Sequence, residues 1–261
     1  MSQLRLCSER RFIHEDGGFR YAVATEEFGD AIVAVLSESF SREPMSAALG
    51  LTALDLEPLV ARFVPECTTN GLSVIAVPVD RPDTLAGVFM CRDFKSPMPK
   101  DIAEDFPWFS PIVEALSMVD EAYEAKRPGL MIGEAVDLWM VGVPPISRFA
   151  KRGIASTLFR VSAELGRVRG FKRCVTECTG DYSQTAARKS GFQERARLSY
   201  RDFRFQGRAV FAGIEAPHTH VILFEREFSG SERGEGKNLT PNPFPVREGG
   251  QEFKSARRRS C

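Results

Sequence analysis

Two short stretches carry residues whose types and order could do chemistry. In Val141-Gly142-Val143-Pro144 an apolar run meets a glycine and then a proline, which has no N–H to offer a neighbouring strand. The strand is expected to be weakened or bulged at Gly142 and to stop pairing by Pro144, leaving backbone groups that a ligand could take up. A few residues on, Lys151-Arg152-Gly153-Ile154-Ala155-Ser156 has the form of a helix start. The free N–H groups and positive dipole end of such a start make an anion site. Gly153 would let the backbone come close to the anion, Ala155 is too small to clash with it, and Lys151 and Arg152 add positive charge. His218 and His220, one residue apart beside Pro217, invite a metal reading, but this spacing next to a proline better fits the beginning of an ordinary strand, and no metal is expected.

The elements that must hold these residues follow from hydrophobic spacing. Phe19 to Thr25 alternates like a half-buried strand, and Phe28, Ile32, Val35 and Leu36 recur at helical spacing up to Ser39. Leu56, Leu59, Val60 and Phe63 mark a second helix, followed by two strands, Leu72 to Val79 and Leu85 to Phe94, that read as a hairpin. Ile112 to Tyr123 is a third helical stripe, and a long strand runs from Val136 to Val143. A helix from Gly153 to Val168 is closed by Gly170 in the position of a C-terminal cap, and Arg173 to Cys178 is the next strand. A short helix from Ser183 to Lys189 leads to Gly191-Phe192, then to strands near Arg197 to Phe205 and His220 to Arg226. The alternation predicts an α/β fold, one domain over residues 19–228 with a central sheet partly antiparallel and partly parallel. Residues 1–18 read as an N-terminal lead. From Ser229 to Cys261 glycine, proline, serine and arginine dominate, so residues 229–261 are expected to form a disordered tail whose Arg257-Arg258-Arg259 is simply solvated.

Composition narrows the function. Thirty-five basic residues balance 35 acidic ones. That balance removes the electrostatic reason to expect nucleic acid or an anionic membrane as a partner. The six cysteines, at 7, 67, 91, 174, 178 and 261, form no CxxC pair and read as reduced thiols. With no apolar signal core near Met1 and no apolar run of about 18 residues, a cytoplasmic location is expected. Neither GxGxxG after a strand nor GxxxxGK[ST] occurs, which sets aside the dinucleotide and P-loop folds.

The segment from Val136 to Phe192 resembles the cofactor-binding core of the GNAT acetyltransferase superfamily. Its pyrophosphate loop is written Arg or Gln, two residues, Gly, one residue, then Gly or Ala. Gly153 and Ala155 match, Ala150 stands where Arg or Gln is usual, and Arg148 or Lys151 are the candidates to replace the missing contact. The resemblance implies a GNAT-like domain with two splayed parallel strands flanked by helices, and acetyl-CoA as cosubstrate. The pantetheine arm would pair with Met140, Val141, Gly142 and Val143, and the pyrophosphate would sit on Lys151, Arg152, Gly153, Ile154, Ala155 and Ser156. Ala187 occupies the position where the superfamily often has a tyrosine acid.

Ser37 to Met45 is similar, within that superfamily, to the Asp-Glu-Pro-Leu segment of insect-type arylalkylamine and dopamine N-acetyltransferases, with Glu43-Pro44 matching and Arg42 replacing the Asp. The similarity implies that Glu43 is a general base acting through water, held out of helical geometry by Pro44. Thr179 and Ser183 align with two serines of those enzymes, which implies hydroxyls near the thioester; capping of the short helix is the competing role. Asp137, Trp139, Tyr200 and Phe203 are candidates to line the acceptor pocket, with core packing the alternative for the aromatics. The implied activity is direct acetyl transfer to a primary amine of a small molecule, an arylalkylamine or polyamine, by a monomer or homodimer. A protein or peptide acetyltransferase and a CoA-binding module without chemistry are the rival readings.

Overall fold

The computed structural model describes residues 12–99, 101–146 and 148–228. Eight strands form one sheet in the order β1-β2-β3-β4-β5-β6-β8-β7: β1 (Phe12–Asp16), β2 (Phe19–Val23), β3 (Val74–Pro78), β4 (Gly87–Asp93), β5 (Ala135–Gly142), β6 (Arg173–Cys178), β7 (Gln193–Ser199) and β8 (His220–Glu227). Every neighbouring pair is antiparallel except β5 and β6. The fold class is therefore the mixed α/β domain that the alternation of strand and helix patterns predicts.

Helices α1 (Gly29–Phe40) and α3 (Ala53–Thr69) cover one face through Ile32, Leu36, Val60 and Phe63. On the same face α5 (Ser110–Glu124) lays Ile112, Ala115, Val119 and Tyr123 over Val175, Val221 and Leu223. The opposite face is covered by α6 (Ile154–Val168) and α7 (Asp181–Lys189), whose apolar residues meet Phe89, Leu138, Cys174 and Phe224. The four described cysteines are all buried and free, as thiols filling a core.

Cap chemistry fixes the two helices nearest the site. α6 ends in a Schellman arrangement: Gly170 is left-handed at φ 93°, its N–H donates to Arg167 O, and the Phe171 N–H donates to Gly166 O. α7 repeats the device with Gly191 (φ 83°) and Phe192, whose ring is buried against Phe159. The Gly191-Phe192 pair is thus a helix stop with a hydrophobic anchor.

The structure departs from the sequence expectations at four places. Phe12–Asp16, read as part of a lead, pairs with β2 through Gly17 and Gly18, both at positive φ, so a two-residue turn closes a hairpin. The strand expected at Arg197 to Phe205 is instead β7, ending at Ser199. The chain turns at Tyr200 because that side chain and Phe203 both enter the core under α5. Two short helices, α2 (Pro44–Ala48) and α4 (Ile102–Asp105), were not anticipated, being too brief for a periodic stripe. The expected tail, residues 229–261, lies outside the described residues.

Candidate active site

The one parallel pair is short. β5 and β6 are in register only from Ala135 opposite Arg173 to Asp137 opposite Val175. Beyond this β5 runs on with β4 to Gly142 while β6 stays on β8 to Cys178. The Thr176 hydroxyl donates to Leu138 O at 2.8 Å, the last link across the opening. The divergence begins where the register of β4 and β5 slips, Cys91 facing Leu138 and Met90 facing Met140, so Trp139 is the extra residue of a bulge. A bulge bends its strand and strengthens the twist. It therefore lies at Trp139 and not at Gly142, where the sequence placed it. Gly142 is required by packing: a Cβ there would meet Leu36 Cδ2 at 2.9 Å and Ser39 Oγ at 3.0 Å, so α1 could not lie against β5.

At the open end of this wedge stands the start of α6. Gly153 caps the helix in a left-handed conformation (φ 76°) without any side-chain cap, leaving the first-turn N–H groups to another acceptor. Among the described residues, no atom beyond its chain neighbours lies within 4 Å of a Cβ built on Gly153. The helix start is pressed close to the sheet because Gly87 of β4 has no side chain; a Cβ there would meet Ile154 Cγ2 at 2.9 Å. Ile154 itself is buried, so it can offer only its N–H, whereas Lys151 and Ser156 are exposed and Ala155 is half-buried. Arg152 turns towards the first hairpin, donating to Gly17 O at 3.0 Å and lying over the Phe19 ring. Arg148 lies over Phe149 and, with Arg81 and Arg152, lines a second cavity.

On the far side of the wedge a cavity of about 260 Å³ reaches from Phe89, Met140, Val141 and Phe159 to Glu43. Glu43 has extended backbone (φ −68°, ψ 141°) immediately before Pro44. Its Oε2 accepts the N–H groups of Met45 and Ser46 at 3.1 and 3.0 Å, capping α2. Oε1 is buried and takes no hydrogen bond among the described residues. Burial pushes the carboxyl above its ordinary value, while hydrogen bonding to Thr179, Ser46 and Met45 pulls the other way. The net direction is upward, which suits a proton acceptor working near neutrality.

Thr179 and Ser183 both line this cavity, brought there by the end of β6 and the first turn of α7. Ser183 Oγ donates to Gly180 O at 2.9 Å, a local bond within the helix start, and lies near the Cys178 thiol, which burial pushes up to about 12. Tyr200 does not line the cavity; from the core its hydroxyl donates to Thr179 O at 2.5 Å and so fixes the strand end. Phe203 is likewise core, Asp137 is buried behind the cavity, and Trp139 lines it. Ala187 is fully buried, with no side chain to supply a proton.

Three lining residues were not singled out for this place. His218 takes the Asp181 N–H on Nδ1 at 3.1 Å, so its proton resides on Nε2, and its ring stands over Gly180 and beside Tyr182. Tyr182 is largely exposed at the mouth, and Glu177 faces in from β6. The signal for His218 was Pro217 turning the chain just before β8; His220 begins that strand, as the spacing suggested.

No protein-family model matches the sequence. Among solved structures, arylalkylamine N-acetyltransferase 2 from Aedes aegypti superposes with a TM-score of 0.67 at 21% identity, over 80% of this chain and 98% of that one. A polyamine N-acetyltransferase from Drosophila melanogaster, described as forming N-acetylagmatine, gives 0.65 at 19% identity, over 80% and 100%. The C-terminal condensation domain of Ebony, solved with beta-alanyl-dopamine, gives 0.69 at 14% identity, over 80% and 99%. The chain has the GNAT fold expected from its sequence.

Proposed function

We propose that the chain is an acyltransferase that moves an acetyl group from acetyl-CoA to the primary amine of a small molecule, an arylalkylamine or polyamine, by direct attack. The observation that carries this reading is the cavity that joins the wedge between β5 and β6 to the buried carboxylate of Glu43. Acetyl-CoA supplies an activated thioester. The residues fit it: β5 beyond Asp137 has an edge that β6 does not use, and the helix start at Gly153 has no side-chain cap and, among the described residues, open space where a Cβ would stand. Backbone of Met140, Val141, Gly142 and Val143 would hold the extended arm, and the N–H groups of Ile154, Ala155 and Ser156 the phosphates, with Lys151 and Arg152 adding charge around them.

Most amines arrive at neutral pH as ammonium ions, so a proton must leave before nitrogen can attack. Glu43 Oε1 is placed to accept it, directly or through one water, and the upward push of burial keeps the carboxylate basic enough to do so. Thr179 and Ser183 would orient the thioester or donate to the departing sulfur. The apolar walls contributed by Phe109, Ile112, Leu116 and Trp139 exclude water and suit a small acceptor better than a folded protein segment. The likeness to enzymes described as arylalkylamine and polyamine N-acetyltransferases supports the acceptor class. A panel of primary amines with acetyl-CoA, read by thiol release, tests it: amine-dependent release is expected, and none with any amine would refute it.

A further inference from the structure

The second cavity, of about 480 Å³, shares no lining residue with the one that holds Glu43. Arg81, Arg148 and Arg152 all line it. Two buried rings hold two of these arginines together: Phe19 and Phe149 meet edge to face, their centres 6.1 Å apart. The Arg152 guanidinium carbon lies 5.2 Å from the centre of the Phe19 ring, and that of Arg148 lies 4.7 Å from the centre of the Phe149 ring. The rings belong to the core, so they fix where the charges stand. A guanidinium whose face rests on a ring keeps its in-plane N–H groups for an acceptor.

Most of those N–H groups have nothing to bind within the fold. Arg152 gives one to Gly17 O at 3.0 Å, and Arg148 makes no hydrogen bond or ion pair among the described residues. Arg81 has Asp80 at 3.9 Å, with both side chains more than half exposed, so water screens that pair. The walls themselves are firm, because Gly18 O accepts the Val79 N–H at 3.0 Å and ties the first hairpin turn to the end of β3. Three guanidinia against one carboxylate leave the lining with two net positive charges. Like charges gathered in one concave wall repel unless an anion stands between them. A phosphate monoester carries about 1.5 to 2 negative charges at neutral pH, which matches that excess, and its oxygens accept readily from guanidinium.

We propose that this cavity is a phosphate-monoester site in which Arg81, Arg148 and Arg152 hold the phosphate. It is distinct from the start of α6, since no residue from Gly153 onward lines it. The phosphate can come from two sources: a free phosphorylated small molecule, or the 3′-phosphate of CoA bound at the helix start, which follows Arg152 directly in the chain. Only the second source rests on the acetyl-transfer reading.

Calorimetric titration of the full chain with inorganic phosphate at low ionic strength is expected to give saturable binding, with or without acetyl-dephospho-CoA present. Arg81→Gln and Arg148→Gln should each weaken it at least about tenfold. Arg62→Gln, which removes the same charge from α3 on the other face of the sheet, should leave it within about twofold. Affinities for acetyl-CoA and acetyl-dephospho-CoA identify the source. A preference of about tenfold for acetyl-CoA that Arg148→Gln removes assigns the phosphate to the cosubstrate; equal affinity for the two assigns it to a separate ligand. Either result supports the site, and the phosphate titration does so even if no amine is acetylated. Displacement of phosphate by acetyl-dephospho-CoA would overturn it by placing the anion at the helix start. So would wild-type values in Arg81→Gln and Arg148→Gln variants with native melting curves, an equal loss in Arg62→Gln, or a wild type showing neither phosphate binding nor a preference for acetyl-CoA.

Discussion

Replacing Glu43 by glutamine separates two quantities of different size. The glutamate side chain caps α2 with one oxygen, accepting two N–H groups at 3.1 and 3.0 Å. A glutamine oxygen can keep that geometry, so the loss is the charge assistance of the cap, about 0.5–1 kcal/mol, partly offset because a charge need no longer be buried. Folding should therefore stay within about 1 kcal/mol of wild type. Removing the proton acceptor should instead lower turnover roughly 10²- to 10⁴-fold, about 3 to 5 kcal/mol in the barrier, leaving acetyl-CoA affinity near wild type.

The pH dependence has a definite sign. A carboxyl raised by burial is held in its protonated form at pH values where a free one is ionised, so kcat/KM of the wild type should fall as pH drops through a value above 4.5. Its contribution to folding is most favourable below that unfolded value and is lost as pH rises through the raised one. Glu43→Gln abolishes the acid limb, and its residual rate should climb with pH as more amine arrives deprotonated. Thiol release measured from about pH 6 to 10, with acetyl-CoA binding by calorimetry, provides the assay. Wild-type turnover by Glu43→Gln across that range would refute the role and show Glu43 to be only a helix cap.

Gly153→Val should weaken CoA binding at least about tenfold, because a β-branched residue resists φ 76° and its side chain would enter the space before the helix start; unchanged affinity by calorimetry in a folded variant would remove the loop from the site. Gly166→Ala puts a Cβ 2.5 Å from Val136 Cγ1, and overpacking of about 1–3 kcal/mol exceeds the roughly 1 kcal/mol returned by helix propensity, so the melting temperature should fall. Tyr200→Phe removes the bond to Thr179 O, which should cost about 1 kcal/mol or more in urea unfolding and also slow turnover, since Thr179 loses its support. Glu225, which burial pushes up but hydrogen bonds from Arg127, Tyr123 and Arg195 hold down to about 2, stabilises the fold above its unfolded value of 4.5; that contribution is lost as pH falls towards 2, and acid titration by circular dichroism should follow it.

Much of this was written in local order. The helix stripe from Ile154 to Val168 and its stop at Gly170 follow from spacing and from a residue tolerant of positive φ, both properties of neighbours in sequence. The extended backbone of Glu43 follows from Pro44 in the same way, and the mixed α/β fold from the alternation of strand and helix patterns. The hairpin at Gly17-Gly18 was missed, because Phe12 to Asp16 alternates too weakly to stand out from a lead segment. What local order could not fix is anything set by a distant partner. The bulge falls at Trp139 because β4 slips register there, and Gly142 is small because α1 needs the room. Tyr200 and Phe203 leave the sheet because α5 offers them a core, and His218 and Glu43 share a cavity although 175 positions separate them in the chain. Burial turns Glu43 from a loop carboxylate into a raised, half-satisfied one, and burial is a property of the packed whole, where water has been excluded by elements the residue never meets along the sequence.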